Sequence, residues 1–300
     1  MAEKLVNQSS AEIARRSDHT PSVSIGMPVY NGENYISEAL DSLLAQTFTD
    51  FELIISDNAS TDGTQAICEA YARKDGRIRY LRQDKNLGFG NNFEYVLDYS
   101  TGKYFMWAAH DDMWAPNWLE ILVPELGEKD FAVRGSIRFL RGDKIIIERR
   151  PKNYKRGDYL RCFMAEETTM NARNFYIYGL FHRHKIAALD RLLFSYNYSP
   201  DFILPFKMLE QGCLRCVNGT YQIYRFHGMN AGSQLMSNNL GWARLIYRVH
   251  PFSYYIKYIS IAPLHIKPII VALIPIKHIS NQVSLWLRGL KKVVLRLENI

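Results

Sequence analysis

Cysteine is scarce in this chain of 300 residues: Cys68, Cys162, Cys213 and Cys216 are too few and too scattered for a disulfide framework. Cys213-x-x-Cys216 lacks a second ligand pair, so it reads as a strand with small buried residues rather than a metal or redox site. The first twenty residues are polar and of mixed charge (Glu3, Lys4, Glu12, Arg15, Arg16, Asp18) and contain no apolar h-region. No signal peptide is expected there, and the body is expected in the cytoplasm. The uncharged run between Lys267 and Lys277 is nine residues long, against the roughly 20 of a spanning helix. It cannot cross a bilayer alone. No G-x-G-x-x-G follows the first strand and no G-x-x-x-x-G-K-[ST] occurs anywhere, which excludes a dinucleotide fingerprint and a phosphate-cradling loop. There is no internal repeat and no low-complexity tract.

What is present is enough apolar matter for a real core, 47% of the chain, and a net charge of +7 that is unevenly placed. Residues 241–300 hold nine Lys or Arg and one acid, Glu298, leaving 28 basic and 29 acidic residues in the rest. The main body therefore has no excess cation for a nucleic-acid groove, and no nucleic-acid partner is expected; the tail points to an anionic surface.

Residues 23–29 read as a first strand stopped by Pro28, followed by helical spacing over Glu33–Gln46. A second strand (Phe51–Ser56), a helix from Thr64, a third strand (Arg77–Arg82), a helix to Tyr99 and a fourth strand from Tyr104 follow. Four alternations of strand and helix in about 100 residues predict a mostly parallel sheet flanked by helices. Farther on, Arg141-Gly142-Asp143 marks a hairpin, 152–174 reads as a flexible polar excursion, a helix spans about 202–211, and a strand spans 214–226.

The chain is organised around 104–114, where the apolar run Tyr104–Ala109 ends in Asp111 and Asp112. Adjacent acids at the carboxyl edge of a parallel sheet repel each other unless a cation neutralises them, and oxygen ligands suit Mg²⁺ or Mn²⁺. A solvated turn with an Asp capping the helix near Pro116 is the alternative at this point. With Asp57 at the end of the second strand, the edge has an acceptor for a nucleobase and a metal for a diphosphate about one strand apart.

Pro28-Val29-Tyr30-Asn31 with Glu33, Asp57 with Ser60-Thr61-Asp62-Gly63-Thr64, Asn86-x-Gly88 and the acids at 111 and 112 occur in the order and at roughly the spacing of one family. The chain resembles the inverting glycosyltransferases of family 2, of the GT-A fold, firmly over residues 22–125 and fairly to about 233. The resemblance implies a nucleotide-sugar donor, with Pro28, Tyr30 and Glu33 lining the nucleoside pocket and Asn86 and Gly88 near it. It makes Asp57 the acceptor for the imide N–H of uracil or thymine. The family's metal motif is acid, any residue, acid; here Ala109 replaces the first acid, so Asp111 becomes the best single ligand to Mn²⁺ or Mg²⁺. Asp112 then either supports it or contacts the donor sugar. His227 is a second metal ligand by the same resemblance, and Arg225 a phosphate contact. The general base falls on Asp201, although Pro200 replaces the usual neighbouring acid; Glu166 and Glu167 are the runners-up.

In the tail, Val283, Trp286, Leu287, Leu290, Val293, Val294 and Leu297 repeat at helical spacing with Arg288, Lys291, Lys292 and Arg296 outside that stripe. This basic amphipathic pattern predicts peripheral docking on the cytoplasmic face of a membrane. Packing on the catalytic body, or a homodimer through these helices, is the alternative. The expected organisation is a flexible N-terminus (1–21), a nucleotide-sugar-binding half (22–125), an acceptor-binding half of the same GT-A domain (126–235) and a membrane-associating helical tail (236–300). The acceptor is expected to be lipid-linked or a polysaccharide. The lack of spanning helices and of Q-x-x-R-W disfavours a processive synthase. A non-catalytic nucleotide-binding or scaffold member of the fold is the rival reading, favoured by Ala109 and Pro200.

Overall fold

The computed structural model describes residues 19–165, 175–189, 200–227, 259 and 262–277. Its first half is the predicted alternation. Strands β1 (Val23–Val29), β2 (Phe51–Asp57), β3 (Ile78–Arg82) and β4 (Tyr104–Trp107) are parallel, and helices α1 (Ile36–Leu44), α2 (Thr64–Lys74) and α3 (Phe89–Asp98) connect them. After these come β5 (Met113–Trp114), α4 (Trp118–Glu125), β6 (Asp130–Arg141), β7 (Lys144–Arg149) and α5 (Tyr159–Ala165). A 3₁₀ turn at Phe175–Tyr178, β8 (Leu180–His182), α6 (Arg183–Ala187), α7 (Pro200–Gln211) and β9 (Cys213–Phe226) complete the named elements.

These nine strands share one sheet, ordered β3-β2-β1-β4-β8-β6-β9-β5 with β7 on the side of β6. Short β8 is antiparallel to both β4 and β6, so β6 and its parallel neighbour β9 run in the direction of β4. The end of β9 therefore reaches the same edge as the ends of β1, β2 and β4. This topology, more than any local feature, assembles the site.

Alternate residues feed two cores. Val23, Ile25, Met27, Leu53, Ile55 and Met106 meet Ile36, Leu40, Trp118 and Leu122 on one face of the sheet. Ile54, Phe105 and Trp107 meet Phe93, Val96, Phe163, Phe181 and Phe206 on the other. Trp107, Trp114 and Trp118 are core residues. Gly26 lets α3 settle on β1, because a Cβ there would lie 2.7 Å from Val96 Cγ2.

Pro28 does not stop β1, which continues to Val29. The Gly26 carbonyl faces the β4 side of β1, and by alternation so does residue 28, where β4 has already ended at Trp107. The missing N–H therefore costs no ladder bond. A second difference lies at 152–165. Instead of a flexible excursion, Tyr154 pairs with Leu214, α5 follows, and Tyr154, Tyr159, Cys162 and Phe163 are buried. The polar residues that suggest an excursion are the outward half of an ordered segment. In the tail, helical residues 267–277 turn Ile270 into the core and Lys277 donates to the Met164 carbonyl at 3.0 Å, so this part packs on the body with one face. No helix among the described residues is long and apolar enough to cross a membrane. The stripe at 283–297 lies outside the described residues.

Toward the opposite edge of the sheet, Glu52 takes Ser24 Oγ at 2.7 Å, Thr101 N at 2.9 Å and Arg79 Nη1 at 2.8 Å, tying three chain segments to β2. Burial would raise its pKa, but the Arg79, Ser24 and Thr101 donors outweigh that and hold it below the ordinary 4.5. With the folded value below the unfolded one, this stabilisation is complete above the ordinary glutamate value and is lost as pH falls through the folded value. Glu52→Gln should therefore cost about 2 kcal/mol in denaturant unfolding at neutral pH. The two midpoints should converge in acid; an offset that persists unchanged into acid would contradict this role.

Candidate active site

Three loops at the carboxyl edge of the sheet are bolted together by their own polar groups. Asn31 N donates to Ser60 Oγ at 2.9 Å, Gly32 N to Thr64 Oγ1 at 2.7 Å, and Gly63 N to Glu33 Oε2 at 2.7 Å. Thr61 N returns to Asn31 Oδ1 at 2.8 Å. These bonds join the loop after β1 to the loop after β2. Asn58 extends the tie to the loop after β3, accepting from Leu87 N at 2.7 Å and donating to Asn86 Oδ1 at 3.0 Å. Gly88 N also donates to Asn86 Oδ1, at 2.8 Å, from a left-handed backbone (φ 85°) that suits glycine. Asn31 and Ala59, at φ 53° and 60°, also hold positive φ, and both lie in these loops.

Of the residues expected to line a nucleoside pocket, Tyr30 is exposed at the tip of β1, Pro28 is buried within β1, and Glu33 is engaged by Gly63 N. Asp57 has no exposed surface. Its Oδ1 accepts from Ser60 N at 2.8 Å, and its Oδ2 from Tyr80 Oη at 2.7 Å and Arg82 Nη1 at 2.6 Å. Burial, then the Asp57 carboxylate, push the Tyr80 hydroxyl pKa up, so it stays a donor. Parallel pairing sets Asp57 opposite Arg82, so the pair is a product of strand order. Sequence reasoning missed Arg82, Tyr80 and Asn58, because they acquire partners only once the strands are ordered.

At the other end of the edge, the turn after β4 meets the end of β9. His227 Nε2 lies 2.9 Å from Asp111 Oδ2, although 116 residues separate them. Both side chains keep some exposure, 11% for His227 and 14% for Asp111. Burial alone would raise the Asp111 pKa; the contacts from its histidine neighbours, the His227 hydrogen bond first, outweigh it and hold it low. The Tyr35 ring packs against His227 at 4.5 Å. Arg225 is held by the same group: its Nε donates to the Asp111 carbonyl at 3.2 Å, its Nη2 to Glu38 Oε2 at 2.6 Å, and its guanidinium lies 4.9 Å over Tyr35. His110 backs onto the β1 loop so closely that a Cβ on Gly32 would come within 2.7 Å of its Cδ2. Burial lowers the His110 pKa and favours the neutral ring.

Asp112 points the other way. It is fully buried, with Gln222 Nε2 donating to Oδ2 at 2.8 Å and Arg225 N to Oδ1 at 3.1 Å. Gln222 Oε1 in turn accepts from Arg134 Nη2 at 2.8 Å, and Arg134 is also fully buried. Burial, followed by repulsion from Asp111, raises the Asp112 pKa well above the ordinary value, while burial draws Arg134 down to about 10. The two adjacent acids are thus split, one toward the edge and one into a polar chain beneath it. Sequence reasoning named neither Gln222 nor Arg134; within a strand they read as solvent-facing residues.

Asp111 and His227 are the side chains brought together where a metal was expected. Among the described residues no three His, Cys, Asp or Glu side chains converge on one point, so this pair would supply two ligands and other molecules the rest. Asp201 is the second residue of α7; its side chain lies outside the described residues, as do Glu166 and Glu167.

Comparison with known proteins agrees with this architecture. The family model described as Glycosyl transferase family 2 matches residues 24–191. An uncharacterised glycosyltransferase of Haemophilus influenzae is 30% identical over 81% of this chain and 77% of its own length. Uncharacterised glycosyltransferases of Rickettsia bellii and Rickettsia typhi are 37% and 39% identical over 47% and 39% of this chain, which spans only 21% and 35% of their lengths. Among solved structures, the mannosyltransferase PcManGT from Pyrobaculum calidifontis, in complex with GDP-Man and Mn²⁺, superposes with a TM-score of 0.55 at 17% identity, over 89% of this chain and 75% of that one. S. aureus TarS 1-349, in complex with UDP-GlcNAc, gives 0.51 at 18% identity over 82% and 78%. At such identities these structures show the shared fold, the GT-A arrangement.

The buried chain from Arg134 through Gln222 to Asp112 generates a stability prediction. Gln222→Leu fills similar space but takes a partner from a buried carboxyl and a buried guanidinium at once. Unfolding free energy should drop by about 3 kcal/mol. A loss below about 0.5 kcal/mol, the range of neutral surface changes, would show that the chain does not hold Asp112 in place.

Proposed function

The chain belongs to glycosyltransferase family 2, and on that premise we propose that it moves a single sugar, with inversion, from a nucleotide-diphosphate sugar to a lipid-linked or polysaccharide acceptor. The observation that carries the reading is the 2.9 Å approach of Asp111 and His227 at the sheet edge, beside the bolted β1 and β2 loops. One carboxylate oxygen and one imidazole nitrogen, on side chains that both keep some exposure, fit a hard divalent ion such as Mn²⁺ or Mg²⁺. When bound, such an ion neutralises charge gathering on a leaving diphosphate.

The chain's own residues orient the rest. Arg225, fixed by Glu38 and Tyr35, holds the Asp111 backbone and sets the carboxylate's direction. Its predicted phosphate contact would need it to leave Glu38. Asp57 recognises a uracil or thymine imide N–H when a partner at Oδ2 turns aside, and Arg82, with 34% of its side chain exposed, is the one placed to do so. A base offering only acceptors there would face a carboxylate. Tyr30 and the Asn86–Gly88 loop flank that end. Asp201, heading α7, takes the acceptor hydroxyl proton as the new glycosidic bond forms and the bond from the anomeric carbon to the diphosphate breaks on the opposite face. The enzyme works peripherally on the cytoplasmic face of a membrane, where a lipid-linked acceptor would be held.

Calorimetry with UDP, dTDP and GDP, each with Mn²⁺, Mg²⁺ or chelator, tests the donor site. Binding should need metal and weaken at least about tenfold in Asp111→Ala, one such step being ~1.4 kcal/mol. Failure of the folded protein to bind any of the three would contradict the reading. Asp201→Asn should keep donor binding and lose about 10²–10⁴ in transfer rate, the usual contribution of a general base. Undiminished transfer would move the base elsewhere.

A further inference from the structure

The basicity of the tail hides a second basic surface on the body. From Lys144 to Arg161 the chain carries seven Lys or Arg and two acids. Both acids are engaged within the protein: Glu148 binds Ser136 and Arg138, and Asp158 binds Arg161. All of residues 141–150 are exposed, including three consecutive isoleucines on β7, Ile145, Ile146 and Ile147, at 47%, 49% and 41%. Among the described residues β7 pairs only with β6, so its outer edge is open there. Sheets usually blunt such an edge or keep it polar, and three isoleucines do the opposite.

The basic segment then leads to a second apolar surface. Lys152, Tyr154, Arg161 and Met164 line an open cavity of about 300 Å³. The Met164 carbonyl accepts from Lys277, which pins the end of the helix at 267–277 beside that cavity. This helix gives Ile270 to the core, yet its outer side shows Ile269, Val271 and Ile276 at 43%, 51% and 56%, with Leu264 just before it at 82%. Pro268, Ala272 and Pro275 are exposed with them. In chain order the cationic stretch runs from the exposed β7 isoleucines to the cavity beside the aliphatic helix, a composition that matches an interface with charged headgroups above and acyl chains below.

We propose that β7, the basic segment at 149–161 and the outer side of the helix at 267–277 form a docking surface for an anionic phospholipid bilayer, with a headgroup phosphate seated between Lys152 and Arg161. The charge complementarity names the occupant. A soluble polyanion would satisfy the cations but leave seven exposed aliphatic side chains unexplained. This surface rests on the reading of an enzyme that works at a membrane, and it places the contact on the catalytic body rather than on the amphipathic stripe at 283–297 alone.

Flotation of the full chain with vesicles of phosphatidylcholine, with and without phosphatidylglycerol, tests it. The wild type should float with the anionic vesicles and not the neutral ones. Ile145→Glu with Ile147→Glu, and separately Arg150→Glu with Lys152→Glu, should each cut the bound fraction about tenfold or more. Both variants should bind nucleotide in calorimetry as the wild type does, which separates failure of the docking surface from failure of the donor site and reports that they are folded. Body variants that float like the wild type, while Arg288→Glu with Lys291→Glu and Lys292→Glu abolishes flotation, would overturn the proposal in favour of the tail. So would tight binding of polyphosphate with no flotation, or a wild-type dimer in sedimentation that Ile145→Glu with Ile147→Glu dissolves without altering flotation.

Discussion

Two adjacent carboxylates at the mouth of a low-dielectric core cannot both stay charged and both stay buried. The chain resolves this for Asp111 and Asp112 by sending them in opposite directions. Asp112 turns inward, where Gln222 and the Arg225 backbone satisfy it and where burial favours its protonated form. Asp111 turns to the edge and stays charged beside His227. The residues that make the split possible come from β9 and the position just past its end, or from β6 beside it. An acidic pair at this edge thus requires the return of β9 to the parallel half, and the same return completes the site.

The other end of the edge follows a different logic. Asp57 is not split from a neighbour but enclosed, with Ser60, Tyr80 and Arg82 filling both oxygens. The loops around it gain rigidity from one another: Asn31, Glu33 and Asn58 turn their side chains to neighbouring backbone. A preformed edge of this kind has little ordering left to undergo when a ligand arrives, which favours binding. Positive φ at Asn31 and Ala59 fits the same picture, since strain of about 1 kcal/mol or more persists only where surrounding bonds fix the backbone.

Much of the parallel half is legible in the sequence because short strand-like stretches alternate with stretches of helical spacing, so β1 to β4 fall within a few residues of expectation. The single acid at 111 and the distant His227 come from family resemblance, and the fold puts them side by side. Arg82, Glu38, Gln222 and Arg134 are not legible for one reason: their partners are set by strand order and parallel register, which no local pattern encodes. Arg134 is the clearest case, because an arginine in a strand reads as solvent-facing and here is fully buried. The ordered segment at 152–165 reads as an excursion because its outward residues are basic and its buried ones, Tyr154, Tyr159 and Phe163, are widely spaced.

The central claim is that Asp111 and His227 together hold the divalent ion that meets the donor diphosphate. Pulsed EPR of Mn²⁺ bound with UDP tests it directly, because a ligating imidazole nitrogen leaves a hyperfine coupling on the metal. The predicted result is one such coupling in the wild type, retained in His110→Gln and lost in His227→Gln. A coupling that survives His227→Gln, or bound Mn²⁺ with no nitrogen coupling at all, would contradict the claim.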